Sequence, residues 1–192
     1  GFTVFGHQVR DDQVALATTT IKGKTFAFLG WNSTDNPIDE VAASATLREA
    51  RAQADYVIAV LHWGAEYQDR PLHSVVDFSH WLIDHGVDVV LGGHPHWVQG
   101  IYSYRGRPIL YSLGNFVFDQ DWSRETKQGL AVGVTFSDRD LIVTPFPVTI
   151  PLSQPTLVQG EVLKTRLEGL AAISEPALRE QITAGEVRFT LR

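Results

Sequence analysis

Two nearly continuous apolar runs, Tyr-Val-Ile-Ala-Val-Leu at 56–61 and Val-Asp-Val-Val-Leu at 87–91, flank one stretch of helical periodicity and decide most of what this chain can become. Runs of this kind suit strands covered on both faces. The order strand, helix, strand then requires a parallel sheet with a right-handed crossover. Strands are predicted over Asp55–His62 and Val87–Leu91, with a helix over Leu72–His85 between them and Gly86 just past its end. Each run leads into histidine: His62 ends the first, and Gly92-Gly93-His94-Pro95-His96 follows the second. Parallel neighbours bring their carboxyl ends to one edge, where open α/β sheets bind ligands.

Around this unit the pattern is mixed. Val14–Ile21 and Thr25–Trp31 read as a hairpin across Lys22-Gly23-Lys24, and a helix is expected from Asn36-Pro37 to Ala54. After the histidine loop, Gly100–Tyr104, Arg107–Leu113, Gly129–Ser137 and Leu141–Ile150 are strands joined by short turns, which predicts antiparallel pairing. From Thr156 the chain reads as helical over Glu161–Leu170 and Glu175–Ile182, and Glu186–Leu191 is a last short strand. The fold class is therefore α/β, with parallel strands followed by antiparallel ones.

Three imidazoles at one sheet edge are a natural set of transition-metal donors, because neutral imidazole suits Zn, Mn or Fe. In an extended segment His94 and His96 point the same way, and a bend at Pro95 aims them at different ions. The same three ligands also fit a single ion with one open water position. His73, Asp77, His80 and Asp84 share one helix face and read as a solvated polar stripe. Asp119 and Asp121 read as turn residues. Trp63, Tyr67, Trp97, Phe116 and Phe118 bracket the histidines, as pocket lining or as packing.

Composition narrows the function. A net charge of -6 without a Lys/Arg cluster argues against nucleic acid as a partner. With 44% hydrophobic and 20% charged residues the chain builds a real core. Cysteine is absent, which rules out disulfides and thiolate metal sites. Methionine is absent too, and a start at Gly1-Phe2-Thr3 is expected of a processed or truncated piece. No Walker or nucleophile-elbow pattern occurs.

Three ordered motifs carry a resemblance. His62-Trp63-Gly64 with Glu66-Tyr67, then Gly93-His94-Pro95-His96, then Tyr111-Ser112-Leu113-Gly114-Asn115-Phe116-Val117-Phe118-Asp119 together resemble the CapA-type capsule and poly-γ-glutamate synthesis proteins of the calcineurin-like metallophosphoesterase superfamily. The resemblance spans roughly residues 20–150 and implies the C-terminal half of a metallophosphoesterase α/β sandwich. It implies residues 1–150 as a partial domain of that type and 151–192 as its helical extension. His62 and His94 are then expected on one divalent transition ion (Mn, Fe or Zn) and His96 on a second. Glu66, Tyr67 and Asn115 are expected in the pocket or behind the ligands.

The superfamily's N-terminal ligand motifs are missing, since the only earlier histidine is His7 in a Gly-His-Gln context. The implied partners are a small-molecule or polymer substrate, and self-association or pairing with an absent N-terminal half. Membrane contact is expected only through an anchor outside these residues. The implied location is the cell envelope, on the outer side of a bacterial membrane. Two further readings stand beside this one: a mononuclear three-histidine hydrolase, and a non-catalytic module of a capsule-assembly complex.

Overall fold

A computed structural model of the chain describes residues 4–8, 11–34 and 37–191. Its centre is a six-stranded sheet in the order β3-β4-β5-β6-β8-β7. These strands are β3 (Ala17–Ile21), β4 (Lys24–Asn32), β5 (Tyr56–His62), β6 (Val89–Gly93), β7 (Ile101–Tyr104) and β8 (Arg107–Leu110). The expected parallel unit is present: β4, β5 and β6 run parallel, with Asn32 beside His62 and His62 beside Gly93.

Helices α1 (Glu40–Gln53) and α2 (His73–Asp84) form the two crossovers. They cover one face of the sheet, where Leu47, Leu82, Val57, Ala59, Leu61, Val90, Ile109 and Tyr111 make a buried core. The sequence places the start of α1 at Asn36-Pro37, but the helix begins at Glu40. The Asp39 carboxylate accepts hydrogen bonds from the Val41 and Ala42 amides, so Asp39 is the cap that sets the start. Asn36 lies outside the described residues, as do Gly1-Phe2-Thr3.

The other face meets a second, antiparallel sheet. Its strands are β9 (Gln128–Phe136) and β10 (Asp140–Thr149), joined by β11 (Thr156–Leu157) and β12 (Val187–Thr190). The core between the sheets gathers Ile58, Val89 and Leu110 with Leu130, Leu141 and Val143. Leu170 of α3 (Gly160–Ile173) and Ile182 of α4 (Arg179–Thr183) join the same core.

Three expectations need correction. The predicted strand Val14–Ile21 is two strands, because β2 (Asp11–Ala15) turns away to pair with β1 (Gly6–Gln8). The hairpin β7-β8 is antiparallel as expected, yet β8 also lies parallel against β6, a long-range pairing that short turns do not reveal. Thr156 opens a short strand, and the helix behind it starts at Gly160.

One charged clamp ties these layers together. Asp88, buried at the foot of β6, accepts from the Val57 amide at 2.9 Å and pairs with Arg51 of α1 at 2.7 Å. It also pairs with Arg107 of β8 at 3.3 Å. A buried carboxylate is tolerable only with its oxygens occupied in this way.

Candidate metal centre

The site forms where β5 and β6 end together. Trp63 is the hinge of the first loop. Its indole is buried and donates to the Tyr111 carbonyl at 2.9 Å, while its amide donates to the Gly93 carbonyl at 3.1 Å. Only glycine fits at position 92, because a Cβ there would collide with the Tyr111 carbonyl oxygen and the Trp63 Nε1. Four residues on, the Tyr67 amide donates to the Pro95 carbonyl at 2.9 Å and locks the two histidine loops to each other.

The backbone here is unusual. Tyr67, His94 and His96 all have positive φ, at 59°, 96° and 60°. Non-glycine residues held in this region cost about 1–3 kcal/mol each and cluster at functional sites. The segment His94-Pro95-His96 is therefore not extended, and the turn folds its two imidazoles back toward each other. Their ring centroids are 6.0 Å apart. The His62 ring lies 4.7 Å from that of His94.

All three predicted histidines lie at the sheet edge, with His62 beside His94 but outside the donor group that the other two form with Glu66. The donor atoms of His94, His96 and Glu66 lie within 4.8 Å of one another. That set is two imidazoles and a carboxylate, half-shielded and open on one side, and its chemistry fits a divalent transition ion. Glu66, expected behind the ligands, has a carboxylate oxygen 3.6 Å from His96 Nε2.

Asn115, expected in the pocket or behind the ligands, lies against His96. The buried Asn115 side chain gives its amide N–H groups to the Gln120 side chain and the Thr126 carbonyl, at 3.1 and 2.9 Å. Its Oδ1 therefore faces His96 Nδ1 as an acceptor, at 2.8 Å. Gln120, which sequence reasoning missed, also donates to the Tyr67 hydroxyl at 3.2 Å. The only signal for it would have been a polar side chain just beyond the Asn115 motif. Tyr67 stacks on His96 with centroids 5.7 Å apart. Desolvation raises its phenol pKa above the ordinary value, and the neighbouring Glu66 carboxylate adds to the shift.

The bracketing aromatic residues divide into two groups. Trp63 is core and Trp97 half-buried, whereas Phe116 and Phe118 are exposed, as is Trp122, which was not among the bracketing residues read from the sequence. Phe118 lies 5.2 Å from His96 and Trp122 packs edge-on against Tyr67. Asp119 and Asp121 are exposed and outside the donor cluster. On α2, His80 stacks on Tyr104 and Asp84 pairs with Arg105, a solvated stripe as expected. A cleft of about 690 Å³ opens beside His62 between the two sheets, lined by Gly30, Val60, Leu91, Leu130 and Asn115 among others.

An α/β chain that collects histidines and a carboxylate at the carboxyl edge of a parallel sheet belongs to the class of candidate metal-site proteins. Residues 1–120 match the family described as bacterial capsule synthesis protein PGA_cap, and the chain belongs to that family. It is 32% identical over 138 residues to the PGA biosynthesis protein CapA of Bacillus subtilis, covering 65% of this chain and 36% of that protein. It is 36% identical over 118 residues to the capsule biosynthesis protein CapA of Bacillus anthracis, covering 61% and 28%. A probable polyglutamine synthesis accessory protein of Mycobacterium tuberculosis is 40% identical over 83 residues, covering 43% and 21%.

The chain thus spans about a third of the length of the curated relatives it matches. Among solved structures, a putative 5'-nucleotidase from Staphylococcus aureus aligns with a TM-score of 0.42 at 11% identity, covering 88% of this chain and 33% of that one. A hypothetical protein from Thermus thermophilus aligns with a TM-score of 0.42 at 14% identity, covering 73% and 58%. No helix among the described residues is long and apolar enough to cross a membrane.

Proposed function

We propose that this chain is the histidine-bearing part of a metal-dependent hydrolase that works in the synthesis or turnover of a poly-γ-glutamate capsule at the bacterial cell envelope. The observation that carries the reading is the convergence of His62, His94 and His96 on one strand edge, with two of them held in left-handed backbone. Backbone strain of that kind clusters at functional sites, and here it falls on paired donors. The family and the names of its relatives supply the capsule setting.

A bound divalent ion, or a pair of them (Mn, Fe or Zn), supplies Lewis acidity and lowers the pKa of water enough for hydrolysis near neutral pH. The chain's own residues do the positioning. Asn115 fixes the His96 ring so that Nδ1 carries the proton and Nε2 faces the site. Tyr67 and Phe118 hold that ring from its sides, and Trp122 with Phe116 shapes the approach for a substrate chain. In this reading the segment that precedes the chain in the full-length protein packs along the cleft between the sheets and brings the remaining donors.

The test is metal content and hydrolysis by the full-length protein after dialysis from Mn, Fe and Zn. Bound metal, with hydrolysis of a phosphoester or of a γ-glutamyl polymer that disappears on His94→Ala, is the expected result. A metal-free protein, or hydrolysis indifferent to His94→Ala, would overturn it.

A further inference from the structure

We propose a second binding site in this chain, one for an oxyanion (a carboxylate or a phosphate), formed by Arg124 and Arg166 around a pocket of about 200 Å³. It shares no residue with the histidine edge and needs no metal. The pocket lies between α3 and the strands β9 and β10. Arg166 and Gly169 line it from the helix, Gln128 from β9, and Arg124 from the loop before that strand. Val98, Leu130 and Val148 supply its apolar wall.

Arg166 carries the proposal. Its Nη1 is buried and has no hydrogen-bond partner, an arrangement that native proteins rarely leave unsatisfied. The chain has 22 Asp and Glu side chains against 16 Lys and Arg, yet among the described residues none forms an ion pair with Arg166 or with Arg124. Burial lowers the Arg166 pKa below the ordinary guanidinium value. The like charge of Arg124 adds to that effect, against an opposing pull from Glu125. Two cations thus share one pocket without a bonded counter-ion. An oxyanion completes the arrangement, because a guanidinium fork binds carboxylate and phosphate oxygens through parallel N–H donors.

Both arginines stand on fixed backbone. The Thr126 amide donates to the Ser123 hydroxyl at 3.0 Å and the Ser123 amide to the Thr126 hydroxyl at 3.3 Å, which closes the turn around Arg124. Leu167 and Leu170 are buried and seat the turn of α3 that carries Arg166. Gly169 keeps the pocket open. A Cβ there would meet nothing within 4 Å, so no close approach demands glycine at a helical position that glycine weakens. The volume suits one carboxylate or phosphate group rather than a whole drug-sized ligand. The competing arrangement is a pair of arginines served by bulk water alone, and it predicts no anion binding that depends on Arg166.

Calorimetry on the full-length protein tests this, with sodium phosphate and a short γ-glutamyl peptide as the two probes. Wild type is compared with Arg166→Gln, Arg166→Lys and Gly169→Leu, with folding checked by circular dichroism. Each is also made in a His94→Ala background, because a metal ion attracts oxyanions too. At least one probe is expected to bind, and Arg166→Gln to weaken it about 10-fold or more. Arg166→Lys keeps the charge without the fork and should lose less. Gly169→Leu leaves both guanidinium groups in place and fills the pocket, so it should weaken binding even if Arg166→Gln fails to fold. The same losses are expected with His94→Ala. Phosphate binding alone assigns the site to phosphate, and peptide binding assigns it to the carboxylates of a chain. If neither probe binds, if binding survives Arg166→Gln and Gly169→Leu unchanged, or if it disappears with His94→Ala, the proposal fails and the metal reading is untouched.

Discussion

Asn115 and His96 are joined by a 2.8 Å hydrogen bond whose direction is set by what the rest of the Asn115 side chain does. Replacing Asn115 with Leu keeps the volume and removes the acceptor, so the His96 ring loses its fixed tautomer. Metal affinity should fall about 10–100-fold, read by calorimetry. The melting temperature should fall as well, because the Thr126 carbonyl loses its donor.

Removing His96 separates the two ways of counting ions. In a two-ion site His96→Ala leaves one ion per full-length protein, whereas in a three-histidine site it leaves none. Plasma mass spectrometry after dialysis gives the count, and the expected change is from two ions to one.

The close approach at Gly92 predicts a sharp structural failure. Gly92→Ala drives a methyl group into the Tyr111 carbonyl and the Trp63 indole. Neither neighbour can retreat, since the two are bonded to each other at 2.9 Å in the core. The loss should be about 4 kcal/mol or more, measured by urea unfolding or seen as insoluble expression.

Asp88→Ala should be nearly as damaging. It strips partners from Arg51, Arg107 and the Val57 amide at once. Breaking a buried charged network by deleting one member costs about 3–5 kcal/mol. A thermal melt of the variant tests this, and a loss below about 1 kcal/mol would show that water replaces the clamp.

Alkaline pH offers a further test through Tyr111. Burial raises its phenol pKa above the ordinary 10.0, against a smaller lowering effect from Ser79. The folded state therefore prefers the neutral phenol. That preference contributes in full below pH 10.0 and is lost as pH rises through the higher folded value. The melting temperature of wild type should drop more steeply above pH 10.0 than that of Tyr111→Phe.

The parallel unit was legible in the sequence because Tyr56–Leu61 is apolar throughout and Val87–Leu91 is broken only by Asp88, a pattern few other environments accept. His62, His94 and His96 followed from it, as strand ends fall together once the sheet is parallel. The pairing of β8 with β6 was not legible, because no local pattern encodes a neighbour that arrives after an intervening hairpin. The conformation of His94 and His96 was also hidden. Histidine visits positive φ more often than most residues but still rarely, and the residue before proline favours extended backbone, so only the surrounding contacts impose the conformation seen. Glu66 lies in an irregular loop whose path depends on the Tyr67 bond to Pro95, so its approach to His96 appears only in three dimensions.

The left-handed backbone at Tyr67, His94 and His96 has an evolutionary consequence. Substitution by glycine at either histidine relaxes the chain by about 1 kcal/mol while deleting a donor. Mutational drift toward greater stability thus runs downhill toward loss of the donors. A lineage released from the need to bind at this edge would be expected to accumulate glycine at 94 and 96 first, and its melting temperature would rise as it did so.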